Sequence, residues 1–230
     1  MARLARLVIP QQAHHITQAG VDGKTIFFDA QDYQVFLTWL TSAAKQYAVQ
    51  IHAYSLLSDR LHLLATPSDE LGLGKMMQLL GRYYVPYYNQ KYQRSGLLWQ
   101  GRFKATVLEA SEYLLPCSLL IDEMAVRLGH CQDAKDYPWS SCRHQLGLHT
   151  DPLISEHSMY WNLGNTPFQR EAAYRNLLEL GLSSRHFQAI NTATQKSWLL
   201  GSDEYKTQMA KLTSRRVEPV SRGRPRKIST

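Results

Sequence analysis

Two apolar runs separated by a short polar turn set the tightest limit on what this chain can fold into. Val49 to Leu57 and Leu61 to Thr66 are rich in strand-forming residues, and Ser58-Asp59-Arg60 joins them. So short a link can only connect antiparallel neighbours. Around this pair the pattern alternates. His14 to Gln18 reads as a strand and Gly20 to Gly23 as a turn. Asp29 to Tyr47 reads as a helix, with Phe36, Leu37, Leu40 and Ala44 at helical spacing and Asp29 or Asp32 near its start. A second helix spans about Leu73 to Tyr92, where Pro86 predicts a kink or break, because proline removes a helical hydrogen bond. Arg102 to Glu109 reads as a fourth strand, and Ser111 caps a third helix that ends near Arg127 with Gly129 as its stop.

The order β-α-β-β-α-β-α predicts an α+β protein. Its core would be ferredoxin-like, an antiparallel four-stranded sheet with helices on one face, followed by a small helical C-terminal region. Tyr174 to Leu180 is the clearest helical piece of that region. The expected division is a core over residues 1–130, a helical extension over 131–213 and a flexible basic tail over 214–230. With 44% apolar and 20% charged residues, disorder of the whole chain is excluded. No apolar run is long enough to span a bilayer. The stretch Leu7 to Pro10 is too short for the core of a signal peptide, so a cytoplasmic protein is expected. Cys117, Cys131 and Cys142 are an odd number without a CxxC pair and read as reduced thiols.

The charge is unevenly placed. Residues 214–230 carry six basic side chains against Glu218, a net of +5, and Lys75 to Lys104 carries six and no acid. Once both are taken from the overall +7, the remainder of the chain stands at −4. A mildly acidic protein with two basic regions is built to meet a polyanion at defined places. In the central region Tyr83, Tyr84, Tyr87, Tyr88, Tyr92, Trp99 and Phe103 are interleaved with the cations. Such rings either stack on unpaired bases or form the buried face of an amphipathic helix. Arg94, Arg102 and Lys104 flank a glycine-containing loop and read as phosphate contacts. In the tail, Arg222-Gly223-Arg224-Pro225 has the form of an AT-hook core, which suits the narrow minor groove of A·T-rich DNA. No HExxH, P-loop or GxGxxG pattern is present.

Several segments, "HHIT", "IFF", "HAYSLLSDRLHLLATP", "LGRYYVPYYNQKY", "SGLLWQGRFK", "YLL" and "DYPWSS", together resemble the REP-associated tyrosine transposases over roughly residues 1–145. These are bacterial single-tyrosine HUH transposases of the insertion-sequence-200 type. The resemblance implies a ferredoxin-like nuclease domain that binds hairpin-forming single strands. It also implies a tyrosine that attacks a phosphodiester, and two histidines one residue apart that hold magnesium or manganese. A phenol is a weak nucleophile at neutral pH, so such a reaction needs the ion to polarise the phosphate.

The matching positions in this chain are altered. The paired-histidine motif falls on Arg60-Leu61-His62, where a guanidinium with no lone pair replaces the first imidazole. The tyrosine position falls on Leu120, and the polar position one turn later on Met124. Tyr113 lies on nearly the same helix face but about 10 Å back along the axis. The early loop reads Ala19-Gly20-Val21 where the family has Arg-Gly-Asn, and Pro86 stands where relatives often have arginine. By contrast Arg82, Asn89, Trp99, Gly101, Arg102 and Lys104 match the family pattern.

The expectation is a transposase-derived DNA-binding protein without catalysis, associated with the nucleoid. It would bind single-stranded or hairpin DNA through Arg82, Lys91, Arg94, Trp99, Arg102 and Lys104, with the tail on neighbouring A·T-rich duplex. No cofactor is expected in that case, His62 being a residual polar residue, and Arg60 could present its fixed charge to a phosphate where relatives hold a metal. One alternative is an active transposase using magnesium or manganese with a displaced tyrosine or groups from a partner chain or homodimer. Another is an RNA-binding module, since stacking rings and cations do not separate RNA from DNA.

Overall fold

The computed structural model describes residues 6–219. Four strands form one sheet in the order β2-β3-β1-β4, every neighbouring pair antiparallel. They are β1 (Ala13–Ala19), β2 (Val49–Leu57), β3 (Arg60–Pro67) and β4 (Lys104–Leu108). Helix α1 (Ala30–Gln46) crosses from β1 to β2, and α2 (Gly72–Lys91) crosses from β3 to β4. This is the expected α+β, ferredoxin-like core. Asp29 starts α1 with a reciprocal cap, its carboxylate accepting from the Asp32 amide while Asp32 accepts from the Asp29 amide.

Side chains alternate across a strand, so the sheet has two distinct faces. One carries Ile16, Leu61, Leu63, Ala65 and Leu56, packed with Phe36 and Leu40 of α1 and Leu73, Met76, Leu80 and Tyr84 of α2. The two crossover helices thus share a face, as the element order requires. The second face is also covered, and here the expectation of helices on one side falls short. Ala13, Ala53, Leu64 and Leu108 pack under α3 (Ala110–Arg127) and under Ile190 of a later helix, α7 (Ser184–Lys196). The face is apolar enough that leaving it bare would expose several large side chains to water.

Pro86 neither breaks nor ends α2, which runs unbroken from Gly72 to Lys91. The proline sits on the exposed side, while Tyr84 and Tyr88 on either side of it are fully buried. Their hydroxyls donate to the carbonyls of Ile26 and Thr25. Tertiary anchoring of both half-helices outweighs the lost bond, which faces solvent. Helix α3 starts at Ala110 after Glu109, so Ser111 is an exposed first-turn residue and not the cap.

Beyond α3 the chain adds α4 (Cys142–Gln145), α5 (Ser158–Trp161), α6 (Pro167–Leu180), α7 and α8 (Asp203–Ala210). Thr166 and Gln169 form a capping box at the start of α6, which makes it longer than its apolar pattern suggested. The segments between these helices close the sheet. Ser140 and Ile154 bridge to Ser55 and Ile51 on the outer edge of β2, and Leu200 bridges to Leu108 on the outer edge of β4. Both exposed edges are thereby covered by the chain itself. No helix among the described residues is long and apolar enough to cross a membrane.

The turn after β1 is held in place by its glycine. Gly20 donates to the Asp59 carbonyl at 2.8 Å and bridges to Trp99, and Val21 donates to the Leu98 carbonyl. A Cβ at this position would run into the Lys24 backbone oxygen and the Ile26 side chain. We expect Gly20→Ala to cost about 1–3 kcal/mol, read as a lower urea midpoint. An unchanged midpoint would mean that the turn moves aside freely.

Candidate nucleic-acid interface

The aromatic residues of the central basic segment divide by depth. Tyr84 and Tyr88 belong to the core, so they are not free to stack on bases. The hydroxyls of Tyr87 and Tyr92 both donate to the Asp32 carboxylate, at 3.0 and 2.8 Å. Lys91 reaches the same carboxylate and that of Asp29, each at 2.8 Å. Lys91 is therefore spent on a local ion-pair network that ties α2 to the start of α1. Arg94 bonds the Tyr88 hydroxyl at 3.3 Å and lies over that ring. Asn89 donates to the Gly96 carbonyl and closes the loop after α2.

Lys75, Arg82, Arg102 and Lys104 remain on the surface, as does the ring of Tyr83. Trp99 is half-buried and stacks on Tyr84 with ring centres 6.0 Å apart. Between α2 and the Trp99–Phe103 loop lies a cavity of about 590 Å³, with Phe36, Leu61, Met77 and Leu80 in its wall and Lys75 and Arg102 beside them. Arg6 lies over the Phe103 ring at 3.6 Å and borders the same cavity. Of the predicted contacts, Trp99 and Arg102 come together here, with Lys75 beside them. Arg222, Gly223, Arg224 and Pro225 lie outside the described residues.

A second cavity, of about 250 Å³, opens at the ends of β1, β3 and β4, and Arg102 borders it as well. It contains the altered HUH positions. The Arg60 guanidinium holds the Asp59 carboxylate through Nε and Nη2, the latter at 2.7 Å. His62 Nδ1 is 3.1 Å from His15 Nε2, and His15 Nδ1 is 2.8 Å from the Thr194 hydroxyl of α7. The two rings stack with centres 5.3 Å apart. Burial, with a smaller contribution from the Arg60 charge, pushes His62 down to about 4, and burial together with His62 holds His15 well below its usual range. Both imidazoles are neutral at physiological pH.

The remaining HUH positions lie elsewhere. Leu120 is fully buried in the apolar layer between α3 and the sheet, and Met124 packs half-buried beside it. Tyr113 sits in that same apolar layer, its ring edge toward His186. The donor set does not fit a divalent ion. Arg60 offers no lone pair, His62 has one nitrogen engaged by His15, and Leu120 and Met124 supply no hard ligand. Among the described residues no three His, Cys, Asp or Glu side chains are grouped to hold a metal.

Sequence reasoning passed over His15, Thr194, Asn191 and Gln195, all of which line this cavity. His15 could have been found from the pairing of β1 with β3, since alternation puts it on the face of His62. No comparable signal marks Thr194, 179 residues further along the chain.

Comparison with known proteins agrees with this geometry. The family described as Transposase IS200 like matches residues 12–115. A solved structure of a REP-associated tyrosine transposase bound to a REP hairpin superimposes with a TM-score of 0.51 at 13% identity, covering 68% of this chain and 99% of that one. A crystal structure of a transposase-like protein from Deinococcus radiodurans R1 gives a TM-score of 0.36 at 19% identity, over 50% of this chain and 92% of the other. No curated protein sequence matches the chain. The core strands, their crossover helices and the β4–α3 junction thus form an IS200-like transposase domain over residues 12–115. The fold is the one that the resemblance to the REP-associated tyrosine transposases implied.

Proposed function

We propose that this chain binds single-stranded or hairpin DNA and has lost strand cleavage and transfer. The observation that carries the reading is Leu120, a side chain with no nucleophilic atom, fully buried at the position where the family has its tyrosine. Tyr113 does not replace it, because it is buried among apolar side chains of α3 and the sheet. Without a nucleophile or a metal-binding donor set, the polarised phosphodiester attack of the family has neither of its parts. The binding surface is better kept. Lys75, Arg82, Arg102 and Lys104 are exposed, Lys75 and Arg102 border the Trp99 cavity, and cations near an aromatic slot suit an unpaired strand. The solved relative with this fold holds a REP hairpin, which supports the same class of ligand here. The tail from residue 214 adds charge, and Arg222 to Pro225 would contact the minor groove of A·T-rich duplex beside the hairpin.

The test incubates the full-length protein with end-labelled hairpin and single-stranded DNA, with magnesium or manganese, on native and denaturing gels. The expected result is a retarded native complex and no covalent adduct or nick. A metal-dependent adduct would overturn the loss of chemistry. Tighter binding of an RNA hairpin of the same sequence would overturn the choice of DNA.

A further inference from the structure

We propose that the 250 Å³ cavity at the ends of β1, β3 and β4 takes a phosphate group directly on side chains, without a divalent cation. The inference rests on the DNA-binding reading for its natural source, a phosphodiester of a bound strand. The cavity is bordered by three cations, Arg60, Arg102 and Lys104, and by no carboxylate. A divalent ion would be repelled from such a wall, whereas a phosphate is attracted to it. Asp59 occupies Nε and Nη2 of Arg60 and orients the guanidinium, which still has Nη1 to offer. Neutral amides from Gln100, Asn191 and Gln195 complete the rim.

A second observation points to a ligand. His62 is 93% buried and lines the cavity, and its Nε2 has no hydrogen-bond partner. A buried orphan of this kind destabilises the fold unless something meets it. The three-residue relay decides what it can meet. When the Thr194 hydroxyl donates to the Ile190 carbonyl, at 2.8 Å, it accepts from His15 Nδ1–H. His15 Nε2 then accepts from His62 Nδ1–H, and His62 Nε2 is a bare lone pair. When the hydroxyl turns to donate to His15, every bond in the relay reverses, and His62, which lines the cavity, carries its hydrogen on Nε2. A phosphate oxygen selects this second arrangement. No net charge moves, because each ring stays neutral throughout.

The experiment follows the His62 ring nitrogens by NMR in the full-length, ¹⁵N-histidine-labelled protein, with a metal chelator present. The probes are inorganic phosphate and, separately, a short thymidine strand with either normal or methylphosphonate linkages. The same samples are assayed for hairpin binding on native gels. The expected result is a saturable change of His62 Nε2 from bare to hydrogen-bearing with phosphate and with the normal strand, and none with the uncharged strand. Arg60→Gln and Lys104→Ala, both surface changes that leave the core intact, should each weaken the effect about tenfold. A response to phosphate but not to the normal strand would make the source a free phosphate compound and remove the diester assignment. A response that requires magnesium would overturn the inference. So would hairpin binding with no response at His62 to any probe, and that result would leave the DNA-binding reading standing. A response to phosphate in a protein that binds no hairpin would keep the phosphate site and remove the DNA-binding reading instead.

Discussion

Replacing Asp32 by alanine should lower stability by about 3 kcal/mol, the lower end of the range for breaking a buried ion pair. For a chain of this size that corresponds to a fall in Tm of roughly 6–12 °C. Asp32 is fully buried and accepts from the Phe28 amide, from the hydroxyls of Tyr87 and Tyr92, and from Lys91. Its removal strands two phenols and opens the reciprocal cap of α1. Lys91 keeps Asp29 as a partner, which is why the loss is placed low in the range. Lys91→Met should cost less, because Asp32 would still hold its four neutral donors, the Phe28 and Asp29 amides and the Tyr87 and Tyr92 hydroxyls. Thermal and urea denaturation of both variants tests this ordering. A loss below 1 kcal/mol for Asp32→Ala would show that water replaces the carboxylate at little cost. The prediction also bears on binding, because this network fixes the end of α2 that leads into the Trp99 loop.

The second large effect concerns Asp122, two residues past Leu120. Burial raises its carboxyl to about 7, against the lowering influence of hydrogen bonds from the Tyr174 hydroxyl at 2.7 Å and the Ser141 hydroxyl at 2.9 Å. The neighbouring Glu123 charge adds to the rise. In the unfolded chain an aspartate ionises near 4. Between about pH 4 and pH 7 the folded state therefore holds a proton that the unfolded state has released. Stability falls as pH rises through that window and levels off above it, by about 4 kcal/mol in all from this group. Asp122→Asn keeps an acceptor for Tyr174 and removes the charge, so it should abolish this part of the slope. Urea midpoints of both proteins at pH 4.5 and pH 8 provide the check, because other titrating groups cancel in the comparison. Equal slopes would show that Asp122 ionises normally in the folded protein.

The sheet was legible in the sequence because strand alternation and a polar turn are local signals. Val49–Leu57 appears with the predicted bounds, and the flanking strands differ by a residue or two at their ends. Helix α7 was missed because its apolar face is sparse and becomes buried only on contact with β1 and β4. Pro86 does not break α2 for a related reason: the penalty is local, whereas the two buried tyrosines that offset it bond to residues about 60 positions away. Charge counting found the basic segment, yet it could not reveal that Asp29 and Asp32 on another helix would neutralise Lys91. The altered pocket was half legible. Arg60 and His62 stand in a recognisable motif, but His15 depends on strand register and Thr194 on a contact spanning most of the chain.

That last contact separates what this protein inherited from what it folds as. The family match ends at residue 115, yet the cavity beside Arg60 and His62 is bordered by Asn191, Thr194 and Gln195. Both edges of the domain's sheet are likewise bridged by single residues of the later region, Ser140, Ile154 and Leu200. Excising the matched module would remove one wall of this cavity and uncover two sheet edges. A lineage in this condition has a narrowed evolutionary path. A tyrosine at position 120 would have to fit an apolar layer now packed around leucine.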